Sequence, residues 1–283
     1  MQRKRIAILL LFLIFLSFGG YFGYAFKVSL DEGNIIFHPK AEILQMPDHY
    51  HLKFENVFFE TKDHIKLNGW FFPVVGVGGA RHPQKTLLFF HGNSGNVSNN
   101  LELISIFVQK VHLNVFIIDY RGFGKSKGRP SEEGLYQDAQ AAYGYLTQTK
   151  HISEKNIVIF GQSLGGAIAV DLASKRLASA LILESTFTSA LDMAKIFYPY
   201  LPVGLFVKSK FASLEKIKSI SMPKLIIHGT EDETVPFRLG QNLFEAAPVP
   251  KEFYAISGAH HGNVYDTGGL SYVEKLKNFT QVF

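Results

Sequence analysis

The chain has 283 residues, of which 47% are hydrophobic, so it is long enough to bury the core of one large domain. It contains no cysteine, which excludes disulfides, thiolate metal sites and a cysteine nucleophile. The formal charge is +5, but without Arg3, Lys4 and Arg5 the 29 basic residues fall to 26 against 24 acidic residues, a net charge of +2. Such a balance gives no basic face for nucleic acid.

Residues 6–26 form an uncharged apolar run directly after the basic cluster Arg3-Lys4-Arg5. A run of this length crosses a hydrocarbon core as a helix, and flanking positive charge is typical of the cytoplasmic side. We therefore predict a cytoplasmic N-terminus at 1–5, a single transmembrane anchor or uncleaved signal at 6–26, and an extracytoplasmic remainder in the periplasm or a lumen. The alternative is a cleaved signal peptide with small residues at 23–25, but the run exceeds a usual signal core.

Residues 27–55 are polar and contain Pro39 and Pro47, so we predict an extended connector without a chemical role. The catalytic domain is predicted to occupy residues 56–283. Two apolar and aromatic runs, 56–61 and 65–72, predict an antiparallel hairpin at its start.

From residue 86 onward, short apolar runs alternate with segments that have apolar residues at helical spacing. The predicted strands are 86–90, 115–118, 157–160, 180–183, 224–227 and 252–256. Their continuous apolar character is typical of parallel strands that are covered on both faces. The predicted class is α/β, with a mostly parallel central sheet, an N-terminal antiparallel hairpin and helices on both faces.

An aromatic and proline-rich stretch interrupts this alternation at residues 187–215. We predict a small cap-like excursion there, since a segment at the carboxyl edge of an open α/β sheet overhangs the ligand crevice. On this interpretation Phe187, Phe197 and Tyr198 are substrate-pocket residues. The alternative is a helix that simply covers the core, because aromatic side chains usually pack in protein interiors.

The residues Gly161-Gln162-Ser163-Leu164-Gly165 lie between a predicted strand and an apolar helix. Glycines two positions before and after the serine allow strand and helix to approach closely in a strained turn. That turn exposes the Ser163 hydroxyl beside a helix N-terminus, where N–H groups and the helix dipole favour a developing oxyanion. We predict that Ser163 is a nucleophile and that the N–H of Leu164 is an oxyanion donor.

A serine nucleophile requires a base and an acid that orients the base. Asp232 follows a later predicted strand and is the predicted acid; Glu184, after another strand, is the alternative. His261 follows the last predicted strand and is the predicted base, with the adjacent His260 as the alternative.

The loop His91-Gly92-Asn93 follows the strand predicted at 86–90, and the N–H of Asn93 is the predicted second oxyanion donor. The Gly-Lys-Ser/Thr sequence of a phosphate-binding loop is missing after it, which disfavours nucleotide binding. The histidines lack further ligands at metal-site spacing, so we expect no metal and no other cofactor.

Together these motifs make the chain from about residue 57 resemble an α/β-hydrolase-fold serine hydrolase. It is similar to membrane-anchored members that share features with prolyl-oligopeptidase-type and monoacylglycerol-lipase-like domains. The matching stretches are Phe90-His91-Gly92-Asn93, Asp119-Tyr120-Arg121-Gly122-Phe123-Gly124-Lys125-Ser126, Gly161-Gln162-Ser163-Leu164-Gly165-Gly166, His228-Gly229-Thr230-Glu231-Asp232-Glu233-Thr234-Val235-Pro236 and Gly258-Ala259-His260-His261. The resemblance places His261 on the family histidine and His260 where glycine is common.

The resemblance and the motifs imply a hydrolase that cleaves an ester, thioester or amide of a small-molecule or lipid-like acyl group through an acyl-enzyme. Alternatives on the same triad are a peptidase and an acyltransferase. A non-catalytic binding protein of this fold is a further alternative, which the presence of all three triad residues disfavours. The sequence makes no prediction of the oligomeric state.

Overall fold

The computed structural model describes residues 19–21, 23–24, 27, 30–74 and 84–282. The predicted cytoplasmic residues 1–5 and most of the predicted anchor at 6–26 lie outside the described residues. Within the described part of the chain, no helix combines the length and the apolar character needed to cross a bilayer.

An eight-stranded sheet forms the centre of the domain. Its strands are β1 (Glu55–Glu60), β2 (Lys66–Phe72), β3 (Thr86–Phe90), β4 (Asn114–Asp119), β5 (Ile157–Gln162), β6 (Ala180–Glu184), β7 (Lys224–Gly229) and β8 (Lys251–Ile256). Their spatial order is β8-β7-β6-β5-β3-β4-β2-β1. The strand β2 pairs antiparallel with β1 and β4, and the other pairs are parallel. The prediction of a mostly parallel sheet with an N-terminal antiparallel hairpin is confirmed.

The helices are distributed between and around these strands. They are α1 (Glu32–Ile36), α2 (Leu101–Ser105), α3 (Glu132–Gly144), α4 (Leu164–Ala173), α5 (Ala190–Phe197), α6 (Ser213–Lys216), α7 (Phe237–Ala246) and α8 (Val264–Val282), with π-helical turns at Ile106–Val111 and Tyr145–Thr149 and 3₁₀ turns at Pro47–Tyr50, Val97–Asn100, Glu154–Asn156, Val203–Leu205 and Ile217–Ser219. A kink at Gly269 divides α8.

The apolar strands are buried on both faces because successive side chains point to opposite sides of the sheet. In β3, Leu88 and Phe90 join the core that is covered by α3, α4 and α7, whereas Leu87 and Phe89 join the core covered by α2 and α8. All four side chains are fully buried, and burial of each contributes about 1.5–3 kcal/mol of hydrophobic stabilisation. The helices therefore fix the carboxyl edge of the sheet from both sides.

Residues 27–55, predicted to be an extended connector, contain a short helix and pack against the domain. The helix is α1, and Phe37 just after it is buried with its ring centroid 6.4 Å from that of Phe211. The N–H of His38 donates to the carbonyl of Asn93 at 2.8 Å, and residues 38–39 form a short parallel bridge with 94–95. The connector is thus attached to the loop that follows β3.

Candidate active site

Ser163 occupies a strained turn between β5 and α4, with φ 53° and ψ −119°. The flanking glycines permit the turn: a Cβ on Gly161 would lie 2.3 Å from the carbonyl oxygen of Gly165, and a Cβ on Gly165 would lie 2.0 Å from that of Phe90. Positive φ at a serine costs about 1–3 kcal/mol, so the surrounding structure must impose it.

Two hydrogen bonds to the end of β6 and to a residue just after it hold this turn in place. The N–H of Ser163 donates to the carbonyl of Glu184 at 2.9 Å, and the hydroxyl of Thr186 donates to the carbonyl of Ser163 at 2.7 Å. Both main-chain groups of Ser163 are therefore fixed at the end of β6. The fixed backbone directs the Ser163 side chain into the cavity at the carboxyl edge of the sheet.

His261 bridges Ser163 and Asp232. Its Nε2 lies 3.1 Å from Oγ of Ser163, and its Nδ1 lies 2.8 Å and 3.0 Å from Oδ2 and Oδ1 of Asp232. The structure therefore brings together the three residues predicted as nucleophile, base and acid. These distances allow the imidazole to accept the serine proton while the carboxylate fixes its tautomer.

The loops that carry Asp232 and His261 are bonded directly to one another. The N–H groups of Thr230 and Glu231 donate to the carbonyls of Ile256 and Ala259, each at 3.0 Å. The N–H of Gly258 donates to the hydroxyl of Thr230 at 2.9 Å. These hydrogen bonds fix the loop of Asp232 relative to the loop of His261.

Asp232 is buried and remains ionised because of its hydrogen bonds. Burial alone would raise the pKa of Asp232, but hydrogen bonds from His228 and His261, with a backbone hydrogen bond from Val235 at 2.7 Å, outweigh it and hold the pKa well below the usual range. His228 Nε2 lies 3.3 Å from Oδ2 of Asp232 and 2.8 Å from the carbonyl of Val235. Our sequence analysis did not single out His228, although its place at the end of an apolar strand, four residues before the acid, was a usable signal.

The two alternative residues lie elsewhere. His260 is exposed, and its Nδ1 lies 3.1 Å from Oε2 of Glu233. Glu184 is buried and accepts hydrogen bonds from Gln162 at 2.9 Å and from Tyr272 at 2.6 Å. The carboxylate bonded to His261 is that of Asp232, so the geometry favours Asp232 over Glu184 and His261 over His260.

The predicted oxyanion donors both line the cavity beside Ser163. Leu164 is the first residue of α4, so its N–H has no acceptor within the helix. The Asn93 side chain donates to the carbonyl of Ile36 at 2.8 Å, which ties the loop after β3 to α1.

The cavity has a volume of about 250 Å³ and is lined mainly by apolar side chains. All three predicted pocket residues, Phe187, Phe197 and Tyr198, line it, together with Ala190, Met193, Ala194, Leu201, Val203, Phe206, Val207, Phe211 and Val235. The sequence analysis missed a wall of this cavity: Glu32, Ile35 and Ile36 of α1 also line it. The connector is therefore not only an extended link, because its helix α1 forms part of the cavity wall.

The described part of the chain contains no group of three or more His, Asp and Glu side chains placed to hold a metal ion.

Comparison with known proteins agrees with this architecture. A family model for the alpha/beta hydrolase fold matches residues 85–212. The alpha/beta hydrolase domain-containing protein WAV2 of Arabidopsis thaliana is 34% identical over 93% of this chain and 94% of its own length. The chain belongs to the α/β-hydrolase family. The strained turn that carries Ser163 between a strand and a helix is typical of this family.

Solved structures share the same fold. The Pyrococcus furiosus esterase Pf2001 aligns with a TM-score of 0.71 at 21% identity, over 87% of this α/β hydrolase and 99% of the esterase. A puromycin-hydrolyzing peptidase from Mycobacterium tuberculosis aligns with a TM-score of 0.68 at 18% identity, over 82% of this chain and 39% of the peptidase. At these identities the likeness concerns the fold.

Proposed function

We propose that this α/β hydrolase is a serine hydrolase that cleaves carboxyl esters of apolar acyl groups through a Ser163-His261-Asp232 triad. The observation that carries the proposal is the imidazole of His261, which lies within hydrogen-bond distance of both Ser163 Oγ and Asp232. Nucleophile, base and orienting acid in this arrangement are the requirements for acyl transfer.

The reaction begins when Ser163 Oγ attacks the ester carbonyl and its proton passes to Nε2 of His261. Asp232, held ionised, stabilises the imidazolium that forms, and the N–H groups of Leu164 and Asn93 donate to the oxyanion. Collapse of the tetrahedral intermediate breaks the ester C–O bond, and the alcohol leaves with the proton from His261. Water then attacks the acyl-enzyme, with His261 as base, and releases the carboxylic acid and free Ser163.

The cavity favours an uncharged hydrocarbon acyl group. Its described lining contains no lysine or arginine to pair with an anionic acyl group, and it includes the acidic residue Glu32. A cavity of about 250 Å³ has room for a hydrocarbon acyl chain of several carbons. Each buried methylene adds about 0.8 kcal/mol of hydrophobic binding.

Product analysis tests the proposal. The wild-type protein and Ser163→Ala are incubated with octanoyl esters, with the matching amides, and with an ester plus an added alcohol. We expect octanoic acid from the ester with wild type and none above background with Ser163→Ala. Exclusive cleavage of amides, or transfer to the alcohol in place of water, would assign the triad to a peptidase or an acyltransferase. No turnover of any of them would favour a binding protein.

We retain the membrane anchor at 6–26 as part of the proposal. Four large apolar side chains of the excursion and of the residues just before α1 are exposed: Leu30, Phe197, Tyr200 and Leu205. Their occurrence on the excursion and just before α1 suits a surface that faces lipid.

A protease experiment tests the orientation of the anchor. If the catalytic domain is extracytoplasmic, protease added to spheroplasts, or to sealed vesicles of the same orientation, should digest that domain. Protection of the domain would contradict this orientation.

A further inference from the structure

Four consecutive backbone N–H groups of the excursion are held by two glutamates. The carboxylate of Glu32 in α1 accepts from the N–H of Lys208 at 3.1 Å and from that of Ser209 at 2.9 Å. The carboxylate of Glu132, at the start of α3, accepts from the N–H groups of Lys210 and Phe211 at 2.6 Å and 2.7 Å. We call residues 208–211 the clamped segment.

The clamped segment in turn positions the walls of the cavity. The N–H of Ala190, the first residue of α5, donates to the carbonyl of Lys210 at 2.9 Å. Val207, just before the clamped segment, and Phe211, its last residue, both line the cavity. A displacement of this segment therefore moves both α5 and the aromatic wall.

The other end of α1, at Ile36, is also held by a hydrogen bond to a distant residue. The carbonyl of Ile36 accepts from the side chain of Asn93, whereas Glu32 lies about one helical turn away from Ile36. The helix therefore spans from the predicted oxyanion loop to the clamped segment. The carboxylate of Glu32 holds the first residue of α1 to the clamped segment.

We propose that Glu32 is a specificity-determining residue of the acyl pocket, because it fastens α1 to the excursion and thereby keeps the pocket walls closed around the acyl chain. This rests on the proposed ester hydrolysis. Glu32 does not touch the reacting atoms, so its removal weakens binding of long acyl chains while the chemistry at Ser163 continues.

The direct test is residue-resolved amide hydrogen exchange in Glu32→Ala and Glu132→Ala. Glu32→Ala should accelerate exchange at Lys208 and Ser209 and leave Lys210 and Phe211 protected, because Glu132 still holds the latter pair. Glu132→Ala should give the reverse pattern. Glu42→Ala removes a carboxylate from an exposed residue of the same connector and serves as the matched control. Unchanged exchange at 208–209 in Glu32→Ala would overturn the proposal.

Kinetics with two esters tests the consequence for specificity. Glu32→Ala should raise KM for p-nitrophenyl octanoate about three- to thirtyfold, which corresponds to the loss of one or two hydrogen bonds, and should lower kcat/KM for the acetate much less. Glu32→Gln keeps one acceptor oxygen and should give an intermediate effect. An equal loss for both esters would indicate a merely structural role and overturn the proposal. If wild type cleaves neither ester, the proposed function fails, and the exchange experiment alone decides whether Glu32 holds the N–H groups of Lys208 and Ser209.

Discussion

His228 Nε2 lies 3.3 Å from the same Oδ2 of Asp232 that His261 Nδ1 approaches at 2.8 Å. The buried carboxylate is therefore held between two imidazoles, one facing the core and the other facing Ser163. The same Nε2 also hydrogen-bonds the carbonyl of Val235 at 2.8 Å. His228 therefore contributes to the orientation and the ionisation of the acid both through its loop and through its contact with Oδ2.

Removal of this donor should weaken catalysis without changing substrate binding. His228→Leu should lower kcat for ester hydrolysis by about tenfold or more, with KM nearly constant, whereas His228→Gln keeps an N–H donor and should retain more activity. Loss of the donor also removes one cause of the low pKa of Asp232. An equal loss of kcat in His228→Leu and His228→Gln would show that His228 only fills space.

Single substitutions distinguish the two adjacent histidines. His261→Ala should lower kcat by about 10²–10⁴ because it removes the general base. His260→Ala should change activity by no more than about twofold, because its exposed contact with Glu233 contributes little. Initial rates on one ester give both values. The reverse order of effects would assign the base to His260.

Filling the cavity should shorten the preferred acyl chain. Ala194 lines the cavity from α5, and Ala194→Trp should reduce kcat/KM for octanoate by about tenfold or more, as expected from several methylenes at about 0.8 kcal/mol each. Hydrolysis of acetate should persist. Lys195→Trp, at the next and exposed position of the same helix, is the control. A parallel loss for both esters would show that the acyl chain binds elsewhere.

His91 should make the folded protein sensitive to acid. It is fully buried beside Tyr120 and Phe123, and burial lowers the pKa of its imidazole from 6.5 to about 4. The unfolded chain therefore binds a proton that the folded chain excludes, so stability is present above pH 6.5 and is lost as the pH falls toward 4. Between pH 7 and pH 5 this group should cost about 2 kcal/mol of unfolding free energy.

Urea unfolding at pH 7 and pH 5 checks this contribution. His91→Asn lacks the titrating group and should lose about 2 kcal/mol less than wild type over that interval. Burial raises the pKa of Asp119 and of Asp138 to about 6, which acts in the opposite direction, but equally in both proteins. The difference between them therefore isolates His91, and equal pH dependence would contradict its buried neutral state.

Much of the sheet was predictable because its strands are continuous apolar runs with turn residues at their ends. The strand predicted at 86–90 coincides with β3, and the serine turn lies where the two glycines require it. Asp232 and His261 were predictable because parallel strands bring their carboxyl ends to one edge.

The pocket wall formed by α1 was not predictable from local patterns. The helix α1 is only five residues long, and its position depends on bonds to residues far away in sequence, namely Asn93 and 208–209. The helix α8 was also missed, since Gly268 and Gly269 interrupt its helical pattern. In the choice between His260 and His261, only the three-dimensional course of the loop shows which ring reaches Ser163.

The central claim is that Ser163 is the activated nucleophile, and labelling with an alkyl fluorophosphonate followed by intact-mass measurement and peptide mapping tests it most directly. The account predicts one adduct per chain, located on Ser163, none in Ser163→Ala, and strongly slowed labelling in His261→Ala. A folded wild-type protein that forms no adduct, or a Ser163→Ala protein labelled as fast as wild type, would contradict it.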